Sequence, residues 1–201
     1  PMAKELFIDP ERVRAQTTLT SQSIPVNAYR PSLDVEREKF GDEGLQRIAR
    51  DMILIREFEL MLDDIKKKGT YRGVAYNHLG PAHLSIGQEA AAVGQAFTLE
   101  IQDKVFGSHR SHGEVIAKCL SAMSSTPAEV IAEGMRTWSD GSTWDVVGRK
   151  LHSDDPEQKA INYLLYGMTS ETFGRKTGFN RGLGGSMHAF FPPLGIYPNN
   201  A

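Results

Sequence analysis

Apolar residues recur at three- and four-residue steps over 42–68, and this repeat predicts a long amphipathic helix. The repeating positions are Leu45, Ile48, Met52, Ile55, Phe58, Leu62 and Ile65. Acidic residues stand at the start of the segment and Lys66-Lys67-Lys68-Gly69 at its end, as the helix dipole and a glycine stop favour. A helix of this length is expected to extend past its own core toward a partner subunit.

Weaker patterns predict shorter elements around that helix. Residues 1–40 carry charge but little periodicity, so we interpret them as an extended arm with a short helix near Pro10–Arg14. Residues 70–86 are rich in Gly, Tyr, His and Pro and are expected to be irregular. Small residues over 87–97 predict a helix that packs closely against a neighbour, and 103–107 predicts a short strand.

Helix signals continue over 113–122 and 126–137, and the second begins with Thr126-Pro-Ala-Glu129, the pattern of a capping box. Residues 138–155 are expected to form a loop. Asp155-Pro-Glu-Gln158 predicts the start of another helix that runs to about Leu165, and the chain from Gly167 onward is expected to be loop. Helix and short strand alternate, so the predicted fold class is α/β. A chain with this many helices and so few strands is typical of the helical layer that covers one face of a parallel sheet.

Composition narrows the class of protein. The chain has 201 residues, enough for one domain with a sizeable core, and a formal net charge of −2, which gives no footprint for nucleic acid or a membrane surface. Its single cysteine, Cys119, excludes an internal disulfide and favours a reducing cytoplasmic location. No apolar run is long enough for a membrane span, and no secretory signal or transit peptide is visible. The end at Pro198-Asn-Asn-Ala201 resembles a loop, so we expect the front part of a longer protein.

Five of the six histidines fall in three short loop segments, 76–90, 109–112 and 182–188. Loops at element boundaries are where active-site residues concentrate. A metal site at His109, His112 and Glu114 lacks the further ligands of a zinc framework. A serine nucleophile is not supported either, because no Gly-x-Ser-x-Gly elbow is present.

Anion binding is the better-supported chemistry. Arg110 offers a planar fork suited to phosphate or carboxylate, and Gly113 follows at a helix start, where backbone N–H groups favour anions. Gly182, Gly184 and Gly185 would let a second backbone segment close over the same ligand. The alternative is that Arg110 pairs with an acidic neighbour and that the glycines only make a turn.

Three motifs in this order resemble a known family. His83-Leu-Ser-Ile-Gly-Gln-Glu-Ala90 resembles the His-x-x-x-Gly-Gln-Glu-Ala segment of the alpha subunit of 2-oxo acid dehydrogenases, in their thiamine-diphosphate-dependent, decarboxylating component. This group includes the pyruvate, branched-chain and acetoin dehydrogenases. His109-Arg-Ser-His-Gly113 resembles the family's Tyr-Arg-x-His-Gly, and Gly182-Leu-Gly-Gly-Ser-Met-His188 resembles the third motif in its pyruvate dehydrogenase form. Order and spacing agree over about 43–201.

The resemblance implies a fold and an activity. The fold is the front, helix-rich part of a thiamine-diphosphate-binding domain, a parallel sheet flanked by helices that is incomplete in this chain. The domain would occupy 41–201 after an arm at 1–40, with an insertion at about 138–172. The activity is oxidative decarboxylation of a 2-oxo acid with acyl transfer to a lipoyl group. The alternatives are the alpha subunit of an acetoin-cleaving dehydrogenase and a non-catalytic interaction module derived from the same fold.

The resemblance also implies partners and a location. The partners would be a beta subunit or beta-like domain in a heterotetramer, the remainder of the alpha region and a lipoyl acyltransferase, with neither nucleic acid nor membrane. The isolated chain is then expected to be inactive. The location would be cytoplasmic, or the mitochondrial matrix in a eukaryote.

Roles for single residues follow from the same resemblance. Arg110 matches an arginine that binds the diphosphate, and His109 stands where the family usually has tyrosine. His83 and His188 match histidines around the reactive carbon and the substrate, which makes them the candidate catalytic residues. His112 and Ser186 complete the predicted cofactor-binding residues. His112 is expected to support the residues that contact the cofactor rather than to contact it directly.

A bound Mg²⁺ is implied as well, but its ligands are expected outside this chain. The family's Gly-Asp-Gly…Asn motif normally follows the third motif, whereas Asp140-Gly141 precedes it and lacks the first glycine. His78 and His152 match no motif and are expected to be ordinary surface or loop residues.

Overall fold

A computed structural model describes residues 9–16, 18, 23, 30, 32–76 and 80–198. The helices are α1 (Pro10–Arg14), α2 (Leu33–Lys68), α3 (Glu89–Ala96), α4 (His112–Ser125), α5 (Ala128–Thr137), α6 (Ser142–Lys150) and α7 (Pro156–Thr172), with 3-10 turns at Trp138–Gly141 and Pro192–Leu194. The strands are β1 (Thr70–Tyr71), β2 (Val74–Ala75), β3 (Val105–Phe106) and β4 (Ile196–Tyr197). None of the described helices is both long and apolar enough to cross a membrane.

Helix α2 confirms the long amphipathic helix, and its buried face includes Ile55, Phe58, Leu62 and Ile65. It begins earlier than predicted, because residues 33–40 are helical rather than part of an extended arm. Gly41 interrupts the regular geometry with φ 68° and ψ 168°, so the predicted start at residue 42 is where the helix resumes after this break. The short helix α1 lies where the sequence predicts it, whereas most of 1–31 and His78 lie outside the described residues.

A small hairpin occupies part of the segment expected to be irregular. Strands β1 and β2 pair antiparallel, with Thr70 opposite Ala75 and Tyr71 opposite Val74. The two turn residues, Arg72 and Gly73, both have positive φ, as a tight two-residue hairpin requires. Arg-Gly is not one of the usual sequence signals for such a turn, which is why the hairpin escaped prediction.

Helix α4 forms the centre of the core, and almost every residue from His112 to Ala122 is buried. Helices α2, α3 and α7 pack against it. Strand β3 pairs with β4 in parallel. The buried Lys118 Nζ of α4 donates to the carbonyls of Glu100 (2.8 Å) and Leu194 (3.0 Å), which lie in the segments before these two strands. The helix-rich character is confirmed, and the sheets among the described residues have two strands each.

Two predictions in the middle of the chain are wrong. Thr126 does not cap α5, because the helix begins at Ala128 and the N-cap position is occupied by Pro127, which has no side chain that could accept a hydrogen bond. Residues 142–150 are the helix α6 rather than a loop. Thr143 and Val147, four residues apart, are completely buried, and this burial stabilises a segment whose Ser, Asp and Gly residues favour turns.

Helix α7 begins as predicted, with the Asp155 carboxylate accepting the Glu157 backbone N–H at 3.1 Å. It ends at Thr172 instead of about Leu165, so the expected loop from Gly167 is wrong over the first six residues. Gly167 is tolerated inside the helix because the Phe179 ring lies against it. A Cβ at this position would stand 2.2 Å from Phe179 Cε1.

An aromatic cluster joins α6 and α7 to the chain on both sides of the third motif. Phe179 and Phe191 stack at 4.7 Å, and Tyr163 of α7 contacts both rings. Trp138 adds edge contacts to Phe191 and donates from its indole nitrogen to the Phe179 carbonyl at 2.5 Å. The segment 182–188 is therefore flanked by anchored aromatic residues.

Candidate functional site

The first and second motifs meet at the surface. The rings of His83 and His109 lie edge to face, with 5.4 Å between their centres. Arg110 Nη1 donates to the carbonyl of Leu84 at 2.8 Å, so the guanidinium is tied to the first motif. His83 is half-buried, while His109 and Arg110 are exposed. These three predicted site residues are thus brought together.

The surroundings of His83 are positively charged. Partial burial lowers the pKa of His83 first, and the neighbouring His109, Arg110 and Lys66 lower it further. Lys66 comes from the end of α2 and donates to the Ala82 carbonyl at 3.0 Å. We call Lys66, His83, His109 and Arg110 the basic cluster. Its cationic members would favour an anionic ligand and keep the His83 imidazole neutral.

His112 lies completely buried inside the protein. Its Nδ1 is 2.9 Å from Glu59 Oε1, and its Nε2 is 3.1 Å from the Ser186 carbonyl oxygen. Ser186 is buried too, and its hydroxyl donates to the Pro81 carbonyl at 2.8 Å. The polar side-chain atoms of these two predicted cofactor-binding residues are therefore bonded to the protein itself.

Glu59 of α2 connects all three motifs, although sequence analysis did not select it. Its carboxylate accepts the backbone N–H of Ser85 and the Ser85 hydroxyl, both at 3.0 Å, as well as the contact from His112. Through His112 it reaches Ser186 of the third motif. One sequence signal could have identified Glu59: it is an acidic residue next to Phe58 on the apolar face of the predicted helix. A carboxylate buried on such a face requires hydrogen-bond partners, which marks it as a candidate for a structural or functional role.

The third motif is held by a second buried carboxylate that sequence analysis also missed. Glu171 of α7 accepts backbone N–H groups from Asn180 (2.7 Å), Gly182 (3.0 Å) and Gly184 (2.7 Å). Gly182 and Gly184 were predicted to let this segment close over a ligand, and their backbone N–H groups point at Glu171 instead. His188 is half-buried after this loop, and its backbone N–H donates to the Gly184 carbonyl at 3.2 Å.

The Gly-Gln-Glu-Ala part of the first motif is anchored to α2. Glu89 accepts two hydrogen bonds from Arg56, Nε to Oε1 at 2.6 Å and Nη2 to Oε2 at 2.9 Å, and one from the Gly87 N–H at 3.0 Å. The bonds from Arg56 hold the pKa of Glu89 at about 2, below its ordinary value of 4.5. The motif thus begins α3 with an ionised carboxylate at the end that favours negative charge.

Two further observations delimit the site. The described residues include no group of three or more His, Cys, Asp or Glu side chains that could hold a metal ion. An open cleft of about 980 Å³ lies elsewhere, between α2, α4, α5 and α7, and none of the six predicted site residues lines it. The chemistry of the motifs is therefore concentrated at the basic cluster and the adjoining loop.

Sequence comparison identifies relatives of this chain. The family model described as dehydrogenase E1 component matches residues 27–141, more than half of the chain, and includes the first two motifs. The pyruvate dehydrogenase E1 component subunit alpha of Rhizobium meliloti is 28% identical over 152 residues, which cover 76% of this chain and 29% of the relative. The mitochondrial subunit alpha of Saccharomyces cerevisiae is 28% identical over 197 residues, covering 95% of this chain and 34% of the relative.

A chloroplastic subunit, alpha-3 of Arabidopsis thaliana, is 30% identical over 149 residues, covering 74% of this chain and 23% of the relative. The chain thus spans about a quarter to a third of the length of these curated relatives. No solved structure matches the chain.

Proposed function

The chain belongs to the dehydrogenase E1 component family, and on this premise we propose that it is the front portion of a thiamine-diphosphate-dependent alpha subunit or alpha-like domain. The complete enzyme would decarboxylate a 2-oxo acid and pass the acyl group to the lipoyl arm of an acyltransferase. A beta subunit or beta-like domain and the remainder of the alpha region would complete it. The relatives described above are pyruvate dehydrogenase subunits, which favours pyruvate as the substrate.

The observation that carries this proposal is the basic cluster, where the first two motifs converge. A diphosphate requires cationic N–H donors, and Arg110 is exposed. Among the described residues its guanidinium makes one hydrogen bond, from Nη1 to the Leu84 carbonyl. The described residues therefore fit the diphosphate end of the cofactor. We expect Mg²⁺ to be held by residues outside this chain, because the family's Gly-Asp-Gly…Asn motif normally follows the third motif.

When bound, thiamine diphosphate supplies the electron sink that decarboxylation needs. Arg110 would bind and orient the diphosphate, with its guanidinium fixed by the Leu84 carbonyl. His109 would add a hydrogen bond in place of the family's tyrosine. The lowered pKa of His83 keeps its imidazole neutral near pH 7, so a ring nitrogen can accept a proton. His188 would stabilise the carboxylate of the substrate or a developing oxyanion.

The proposal is tested on the complete alpha subunit assembled with its beta partner. Arg110→Ala should weaken thiamine diphosphate binding by about tenfold or more, measured by calorimetry, because a charge-assisted hydrogen bond is lost. Arg149→Ala, an exposed arginine on α6, is the matched control and should leave the affinity unchanged. Equal affinity of the Arg110 variant and the wild type would contradict the assignment.

The reaction itself is tested with an artificial electron acceptor and a panel of pyruvate, branched 2-oxo acids and acetoin. Turnover of a 2-oxo acid by the assembled enzyme, and none by the isolated chain, is the expected result. An assembled complex that binds the cofactor but turns over no member of the panel would favour a non-catalytic module.

A further inference from the structure

Glu171 is a fully buried carboxylate with an unusual set of partners. In the described part of the chain no cation lies within ion-pair distance of it, and its oxygens accept three backbone N–H groups from 180–184. A buried charge is stable only where hydrogen bonds replace its hydration. The carboxylate and the loop therefore depend on each other for their conformation.

The glycines of this region fit the carboxylate. A Cβ added at Gly178 would stand 2.5 Å from Glu171 Oε2, and one at Gly184 would stand 3.0 Å from Oε1 and 2.1 Å from the His188 carbonyl oxygen. A Cβ closer than 3.0 Å to another atom is essentially never observed, so a side chain at either position would force its neighbours to move. The absence of side chains at these positions is thus explained by the approach of the loop to Glu171 and by its tight turn before His188.

Helix α6 and the 3-10 turn at Trp138–Gly141 also contact the chain at 177–181. Thr143 donates to the Thr177 carbonyl at 2.7 Å, and the Trp138 indole donates to the Phe179 carbonyl. Arg181 pairs with Asp140. The donors and the acidic partner all lie in 138–172, the segment interpreted above as an insertion.

The far side of the same loop is fixed by the other buried carboxylate. The Ser186 carbonyl accepts from His112, which contacts Glu59. The loop therefore lies between two buried carboxylates, one bonded directly to 180–184 and one acting through an imidazole at 186. His188 follows immediately after the second contact.

We propose that Glu171 is a positioning residue that sets the conformation of 180–184 and, through it, the placement of His188. The segment 138–172 serves in this arrangement as the support that carries Glu171. The importance of His188 for turnover rests on the proposed function, whereas the control of the loop by Glu171 does not.

The test compares Glu171→Gln, Glu171→Asp and Glu129→Gln in the complete alpha subunit with its partner. Glutamine keeps the shape of the side chain but replaces one acceptor oxygen by an NH₂ group, which would face a backbone N–H. Hydrogen exchange of the 178–190 region is therefore expected to rise by about tenfold or more in Glu171→Gln.

The turnover number should fall more than the affinity for thiamine diphosphate, and Glu171→Asp, which keeps the charge, should restore part of both readouts. Glu129 is exposed on α5, so Glu129→Gln should match the wild type.

Unchanged exchange at 178–190 in Glu171→Gln would overturn the proposal, and so would a general loss of helical circular dichroism, since Glu171 would then support the whole fold. Gly178→Ala provides a second variant, because its Cβ would stand 2.5 Å from Glu171 Oε2 and 2.6 Å from the Glu171 backbone nitrogen, so the contact between loop and carboxylate must shift. It should raise exchange in the same peptide. Faster exchange in an assembled enzyme that has no 2-oxo acid activity would disprove the proposed function and leave the role of Glu171 in the loop intact.

Discussion

Nδ1 of His112 lies 2.9 Å from Oε1 of Glu59, and neither side chain is exposed to solvent. The pair connects α2 to α4 and, through the other ring nitrogen, to the third motif. Removing one partner of a buried polar pair leaves the other without compensation, which typically costs about 3–5 kcal/mol.

We therefore expect His112→Ala to lower the free energy of unfolding by about 3 kcal/mol, as measured by urea denaturation followed by circular dichroism. His152→Ala is the control, because the side chain of this histidine is 66% exposed and its hydrogen-bond partner is the exposed Asp154. The control should lie within about 0.5 kcal/mol of the wild type. Equal stability of both variants would show that the buried contact is dispensable.

The contact between Glu89 and Arg56 predicts a pH dependence of stability. The pKa of Glu89 is held at about 2 in the folded protein, below its ordinary value of 4.5. A carboxyl with a depressed folded pKa contributes stability above its unfolded pKa and loses that contribution as the pH falls through the folded pKa. The stability difference between wild type and Glu89→Gln should thus be constant near neutral pH and shrink between about pH 4.5 and pH 2. A difference that does not change over this range would refute the coupling to Arg56.

Two helical glycines are expected to respond in opposite directions to alanine. At Gly167 a Cβ would stand 2.2 Å from the Phe179 ring, so Gly167→Ala should destabilise the protein by about 1–3 kcal/mol. At Gly148 in α6 a Cβ would meet nothing within 4 Å, so Gly148→Ala should stabilise it by about 0.5–1 kcal/mol. Thermal unfolding of both variants checks this, and a stabilised Gly167 variant would mean that the Phe179 ring moves aside freely.

His188→Ala should lower the turnover of the assembled enzyme more than its affinity for thiamine diphosphate, because we assign this residue to the substrate side. Steady-state kinetics and calorimetry on the same preparation separate the two effects. A loss confined to cofactor affinity would place His188 on the cofactor side instead.

The elements that were predicted correctly are those with local signals. The apolar repeat from Leu45 to Ile65 is sufficient to define most of α2, and Asp155 followed by proline marks the start of α7. Helix α6 carries the opposite local signal, with a run of Ser, Asp and Gly residues before it. Its stability comes from burying Thr143 and Val147 against distant parts of the chain, which no local pattern records.

The candidate site was predictable to a similar extent. The motifs indicated the loops and the solvent-facing residues such as Arg110, but not the carboxylates beneath them. Glu59 and Glu171 each lie within a helix, and their partners are more than twenty residues away or are backbone amides close to a glycine-rich turn. Backbone donors leave no trace in residue type, so these contacts become visible only in three dimensions.

The pairing of β3 with β4 has a practical consequence for preparations of this chain. Within the described residues β3 has a strand neighbour on one side only, whereas Ile196 of β4 also exchanges backbone hydrogen bonds with Phe191. The backbone groups on the outer side of β3 therefore remain open to strand addition by another molecule. Phe106 on β3 is 65% exposed, and the formal net charge of −2 provides little repulsion between copies. We therefore expect the isolated chain to self-associate as its concentration rises. This self-association will limit the protein concentration at which the isolated chain can be studied.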